Sequence, residues 1–113
     1  MSETLEQLQV RTGQNQSLFR DVNERIGELQ TSWKPLAEVA FVCECADETC
    51  SSPISASREE YDAVRASPVR FLVQPEHVSP ASEFVVDRNE RFWVVEKVER
   101  ARAVARWTAP TRD

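Results

Sequence analysis

The residues with chemistry to offer are gathered in FVCECADETC, residues 41–50, which holds all three cysteines of the chain in the spacing C-x-C-x4-C. An odd number of thiols cannot pair completely within one molecule. Zinc takes four tetrahedral ligands drawn from thiolate and imidazole. On extended backbone, residues two apart point to the same side, so Cys43 and Cys45 present their sulfurs together, and a bend at Glu44 brings them closer. The polar turn through Asp47, Glu48 and Thr49 can return the chain to Cys50. The only histidine, His77, lies in QPEHVSP between Pro75 and Pro80, prolines that restrict the loop before any ligand arrives. If the strand before it pairs near the strand carrying Cys43, its far end reaches the cysteine loop. The expected site is one structural Zn²⁺ per chain held by Cys43, Cys45, Cys50 and His77, a closed Cys3His set with a single net negative charge. The spacing is less specific than paired C-x2-C motifs. Three reduced thiols used as small core residues, another metal, or an iron–sulfur centre remain alternatives on the residues alone.

Other chemistries find little support. Glu44 could serve as a base beside a metal-bound water only if His77 left a coordination position open, and three thiolates make zinc a poor Lewis acid. The deaminase signature H-x-E…P-C-x-x-C is absent. So are the P-loop and G-x-G-x-x-G, in a chain with only two glycines. No catalytic or cofactor-binding residues are assigned. Glu59, Glu60, Arg65, Arg70, Glu96 and Lys97 read as solvated surface. A net charge of −5 argues against a free-standing nucleic-acid binder, although Arg100, Arg102 and Arg106 form a weak basic tail. No apolar run is long enough to span a bilayer. The start, MSETLEQLQVRTGQ, lacks the basic and apolar regions of a signal peptide. The expectation is a cytoplasmic protein with reduced thiols.

The elements that must position these groups read as follows. Leu5, Leu8, Thr12, Asn15, Phe19, Val22, Ile26, Leu29 and Trp33 step alternately by three and four, the seam of a long helix, which Lys34-Pro35 ends. Either this stripe packs on its own domain or it also joins a second chain, with residues 1–16 serving association more than folding. Ala37–Glu44 is a strand leading into the cysteine loop, and Ile54 marks a short strand. SREEYDAVRASP is a second helix with Ser57 as N-cap and Glu60 completing a capping box. Val69–Val73 is a strand. Glu83–Val86 and Phe92–Val98 form a hairpin across DRNER, with Asn89 able to take positive φ. The composition, 41% hydrophobic and 29% charged, suits one small globular domain. The fold class is α+β: a long N-terminal helix, a small antiparallel or mixed sheet, one further short helix and a C-terminal hairpin. In segments, 1–36 is the amphipathic helix, 37–98 the zinc-stabilised domain, and 99–113 a flexible tail in which Trp107 alone would dock. Expected core residues are Phe41, Tyr61, Val64, Phe71, Val73, Val85, Val94 and the Phe19–Val22–Ile26–Leu29 stripe.

FVCECADETC, EEYDAVRASPVRFLVQPEHV and ERFWVVEKV together resemble a family of small, functionally uncharacterised actinobacterial proteins. Its pattern runs F-x-C-E-C-x4-C, then E-Y-x-x-V-R, F-x-V-x-P-x-H and V-V-E-K. The resemblance covers about residues 15–98. It implies a bacterial protein with the ligand set Cys43, Cys45, Cys50 and His77, and it implies no activity. The chain departs from the pattern at Glu76, where the pattern has glycine before the histidine.

The functional expectation is a non-enzymatic, zinc-stabilised binding or regulatory module. It would meet a protein partner or a second copy through the N-terminal helix, with no membrane or nucleic acid involved. The alternatives are a thiol-based redox or metal sensor and a nucleic-acid-associated transcription regulator.

Overall fold

Twenty-five residues without a proline, Leu5–Leu29, form helix α1 in the computed structural model, which describes residues 5–29, 37–45, 47, 50, 52–98, 102 and 105–107, with α1 side chains from Gln16 onward. The seam positions Leu5, Leu8, Thr12, Asn15 and Trp33 and the Lys34-Pro35 stop lie outside the described side chains. Strand β1 (Glu38–Val42) pairs antiparallel with β2 (Pro53–Ser57), Phe41 opposite Ile54. Helix α2 (Arg58–Arg65) follows at once. Its N-cap is Ser57, which accepts from Glu60 N while the Glu60 carboxylate accepts from Ser57 N, the expected capping box. Strands β3 (Arg70–Val73), β4 (Glu83–Arg88) and β5 (Trp93–Lys97) make a second antiparallel sheet in the order β3-β5-β4.

The class is α+β, with a C-terminal hairpin, and the strands form two small sheets. The sheets are tied by one continuation. Beyond β1, Glu44 N donates to Leu72 O at 2.7 Å, and Leu72 N donates to the Glu44 carboxylate at 2.8 Å. This contact sets the exit of β1 beside the exit of β3.

The β4–β5 turn differs from expectation. Among the described residues only Glu76 has positive φ. Asn89 works through its side chain, whose Oδ1 accepts from Arg91 N and Phe92 N at 2.8 Å each.

Phe41, Tyr61, Val64, Phe71, Val73 and Val94 are buried, and Val85 is half-buried. Phe41 stacks on Tyr61 with ring centroids 4.6 Å apart. Helix α1 does not supply the expected apolar stripe to this core. Phe19 and Ile26 are half-buried, while Val22 and Leu29 are exposed. The face turned inward is Gln16, Arg20, Asn23 and Gly27. At about 100° per residue, its centre lies roughly 110° around the helix from the a/d seam. The reason is polar: the amide and carbonyl of Val42 and the carbonyl of Glu44 find their partners in the Asn23 and Gln16 side chains. Gln16 is fully buried, so the segment separable from the fold does not extend to residue 16.

The surface reading of Arg65 and Lys97 is also overturned. Lys97 is fully buried and pairs with the buried Glu83 at 3.1 Å. Its pKa is lowered by burial, which Glu83 opposes. Arg65 lies over the rings of Phe71 and Tyr61. The tail is docked at two described points: Ala105 is buried and its carbonyl accepts from Arg20 Nη2, and Arg102 pairs with Glu96 at 2.9 Å. Trp107, expected to dock, is exposed.

Candidate metal centre

Cys43 and Cys45 sit on the arm that continues β1, and backbone alternation separates the arm's two jobs. The sulfurs face one side and Glu44 faces the other, into the core. Cys43 N donates to Ser52 O at 2.9 Å, extending the β1–β2 ladder by one step. The hairpin loop then turns back, with Cys50 N donating to Asp47 O at 3.0 Å. Three cysteines therefore belong to one β-hairpin tip.

The histidine arrives from β3. Gln74 O accepts from His77 N at 3.0 Å, Pro75 occupies the second position, and Glu76 at φ 71° the third. That is a type II turn, which demands positive φ at its third residue and favours glycine there. Gln74 N donates to Cys43 Sγ at 3.2 Å, and the Gln74 side chain donates to Pro53 O. The turn is thus fastened to the hairpin before His77 is reached.

The ligand atoms of Cys43, Cys45, Cys50 and His77 all lie within 4.8 Å of one another. His77 Nδ1 is 3.6 Å from Cys43 Sγ and 3.6 Å from Cys50 Sγ. A tetrahedral zinc with Zn–S near 2.3 Å and Zn–N near 2.0–2.1 Å separates sulfur from nitrogen by roughly 3.6 Å. Donor number, donor type and these two nitrogen–sulfur distances suit one four-coordinate ion, and a set of soft thiolates disfavours magnesium or calcium. Cys43 and Cys45 are buried, Cys50 is half-buried and His77 is exposed. On the histidine side, Cys45, Asp47, His77, Val78, Ser79 and Pro80 line a cleft of about 380 Å³.

The thiols bear on one another. A hydrogen bond from Cys43 holds Cys45 down at about 5 as a thiolate, and the same bond and burial push Cys43 up. Closely packed thiols give up one proton readily and hold the next, unless a cation takes its place.

Glu44 does not belong to the metal. It is fully buried, and its carboxylate accepts from Asn23 Nδ2 at 2.8 Å, Tyr61 OH at 2.9 Å and Leu72 N. The reading of Glu44 as a base at a metal-bound water is therefore excluded by direction. The same arm is gripped from α1. Asn23 donates to Val42 O at 2.7 Å and accepts from Val42 N at 2.8 Å, as a neighbouring strand would. Gln16 Nε2 donates to Glu44 O at 3.0 Å and to Glu83 at 2.9 Å. Arg20 donates to Pro68 O at 2.8 Å and lies over Phe71, and burial lowers its pKa to about 10.

All four expected ligands are thus brought together, and the polar residues of α1 that hold their backbone were missed. Gln16, Arg20, Asn23 and Gly27 have the spacing 4, 3, 4, a helix-face signal visible in the sequence. It is lost when only apolar residues are counted.

No family model matches the chain, no curated protein matches it and no solved structure matches it.

Proposed function

We propose that this chain is a non-enzymatic binding or regulatory module whose fold is pinned by one structural Zn²⁺ at Cys43, Cys45, Cys50 and His77, and which works through protein contacts made by α1. The observation that supports it is the clustering of three sulfurs and one imidazole nitrogen within 4.8 Å of one another, with two nitrogen–sulfur distances at the length of a zinc tetrahedron's edge. Four protein ligands complete the coordination, so the ion orders backbone and has no position left for a substrate. Binding then falls to the surface of α1, where Leu18, Val22 and Leu29 stand in solvent.

Chain purified without chelator should carry close to one zinc, read by elemental analysis together with X-ray absorption showing three sulfur and one nitrogen neighbours. Cys43→Ser and Cys45→Ser should each abolish tight binding, since these buried sulfurs have no replacement. His77→Ala, at the exposed corner, should weaken binding and leave the fold. Metal-free chain as stable as the purified form would overturn the zinc reading, because binding and folding are coupled at such sites.

A further inference from the structure

The outward face of α1 has a pattern of its own. Leu18, Val22 and Leu29 are 63%, 42% and 70% exposed, and Arg25 beside them is exposed too. At about 100° per residue these four positions fall within roughly 60° of one another. They lie opposite the Gln16–Arg20–Asn23–Gly27 face that grips the domain. Their spacing is 4, 3, 4, the step of a helix–helix seam. Two apolar leucines at its ends span about 17 Å of helix.

A 4-3-4 spacing reads the same in both directions, so in an antiparallel two-fold pairing each of these positions falls level with another of them. Charge then selects the direction. A parallel pairing places Arg25 against Arg25 of the second copy, like charges at the centre of the seam. An antiparallel pairing sets Leu18 level with Leu29 of the other helix and Val22 level with its Arg25. It also brings Asp21, exposed on the same side, to within one position of the opposing Arg25. Both copies gain this pair by symmetry. The flanking Phe19 and Ile26, half-buried on their own domain, would be covered further.

We infer that the occupant of this face is a second copy of the chain, docked with α1 antiparallel to α1 across Leu18, Val22, Arg25 and Leu29, with Asp21 of each copy facing Arg25 of the other. The inference rests on the proposed role of α1 as the binding surface and names its partner.

The test uses full-length, zinc-loaded chain in sedimentation velocity over a concentration series. The native chain should dimerise, and Leu18→Glu with Leu29→Glu should weaken the dimer by about 100-fold. Both positions are exposed, so zinc content should stay unchanged, as should the melting temperature at concentrations where both chains are monomeric, which separates failure of the interface from failure of the metal site. Arg25→Glu should weaken the dimer roughly tenfold, and the double change Asp21→Arg with Arg25→Glu should restore it. Four outcomes overturn the inference: a native chain that stays monomeric to about 100 µM, as most specific protein pairs would not; a dimer that survives the leucine changes; an Arg25→Glu chain that dimerises as well as the native one, as a parallel pairing would; or a double change that restores nothing.

Discussion

Glu44 and Glu76 show how single residues position the Cys3His cluster without belonging to it. Glu44 lies between two cysteines, and alternation turns it inward to accept three hydrogen bonds, so that the arm is fixed from behind. Glu76 occupies a backbone position that costs an L-residue about 1 kcal/mol or more, and it does so because the turn that delivers His77 needs positive φ there. Glycine escapes that cost and loses a little more chain entropy on folding. Glu76→Gly should therefore raise stability by about 0.5 kcal/mol in chemical denaturation, with zinc stoichiometry unchanged. A clear loss of stability would show that the Glu76 side chain supports the loop.

At the scale of elements, Gly27 lies on the buried face of α1, where the helix passes Tyr61. A methyl group added at Gly27 would meet Tyr61 Cδ2 at 4.0 Å, ordinary contact distance. Gly27→Ala should stabilise the chain by up to about 1 kcal/mol through helix propensity, seen as a higher urea midpoint. A lower midpoint would mean that α1 sits nearer Tyr61 than this geometry allows. Helix α2 is tied to the β4–β5 turn by Arg91, whose two terminal nitrogens meet the Glu60 carboxylate at 2.9 and 2.6 Å. The bond to Arg91 holds the Glu60 carboxyl at about 2, against an ordinary 4.5. A depressed folded pKa contributes stability that is complete above the unfolded value and lost as pH falls through the folded one. The stability advantage of the native chain over Arg91→Ala should thus be full above pH 4.5 and shrink as pH falls toward about 2. Denaturation of both chains across that window checks it, and metal loss common to both cancels in the difference. An advantage that does not change with pH would assign Arg91 a packing role alone.

For the whole molecule, the metal centre and α1 grip the same short arm from opposite sides. The sulfurs of Cys43 and Cys45 face the ion position, while Val42 and Glu44 bond to Gln16, Asn23 and Tyr61. If the proposed ion holds the sulfurs, removing it would free one side of the arm and loosen the other. Amide hydrogen exchange should show residues 16–27 of α1 losing protection with the loop when zinc is chelated, ahead of the β3-β5-β4 sheet. Loss confined to the loop would mean that the hydrogen bonds of α1 hold the arm unaided. Among the described residues no helix is long and apolar enough to cross a membrane, consistent with an α1 that spends its inner face on polar contacts.

Much of this protein is legible without a structure. The capping box at Ser57 and Glu60, the β-branched runs of β3 and β5 and the proline-bounded turn before His77 are local signals, and each residue carries its own reason to adopt its conformation. The clustering of Cys43, Cys45, Cys50 and His77 is legible because an odd group of thiols and one histidine make a single four-donor combination of soft groups. The orientation of α1 is not legible in that way. Its apolar seam suggests an inward face, yet the domain takes Gln16, Arg20, Asn23 and Gly27, because the β1 exit offers unpaired backbone and a buried carboxylate to be satisfied. The burial of Lys97 with Glu83 is hidden for the same reason. A charge reads as surface until a partner from another strand is set beside it, and only the tertiary arrangement supplies that partner.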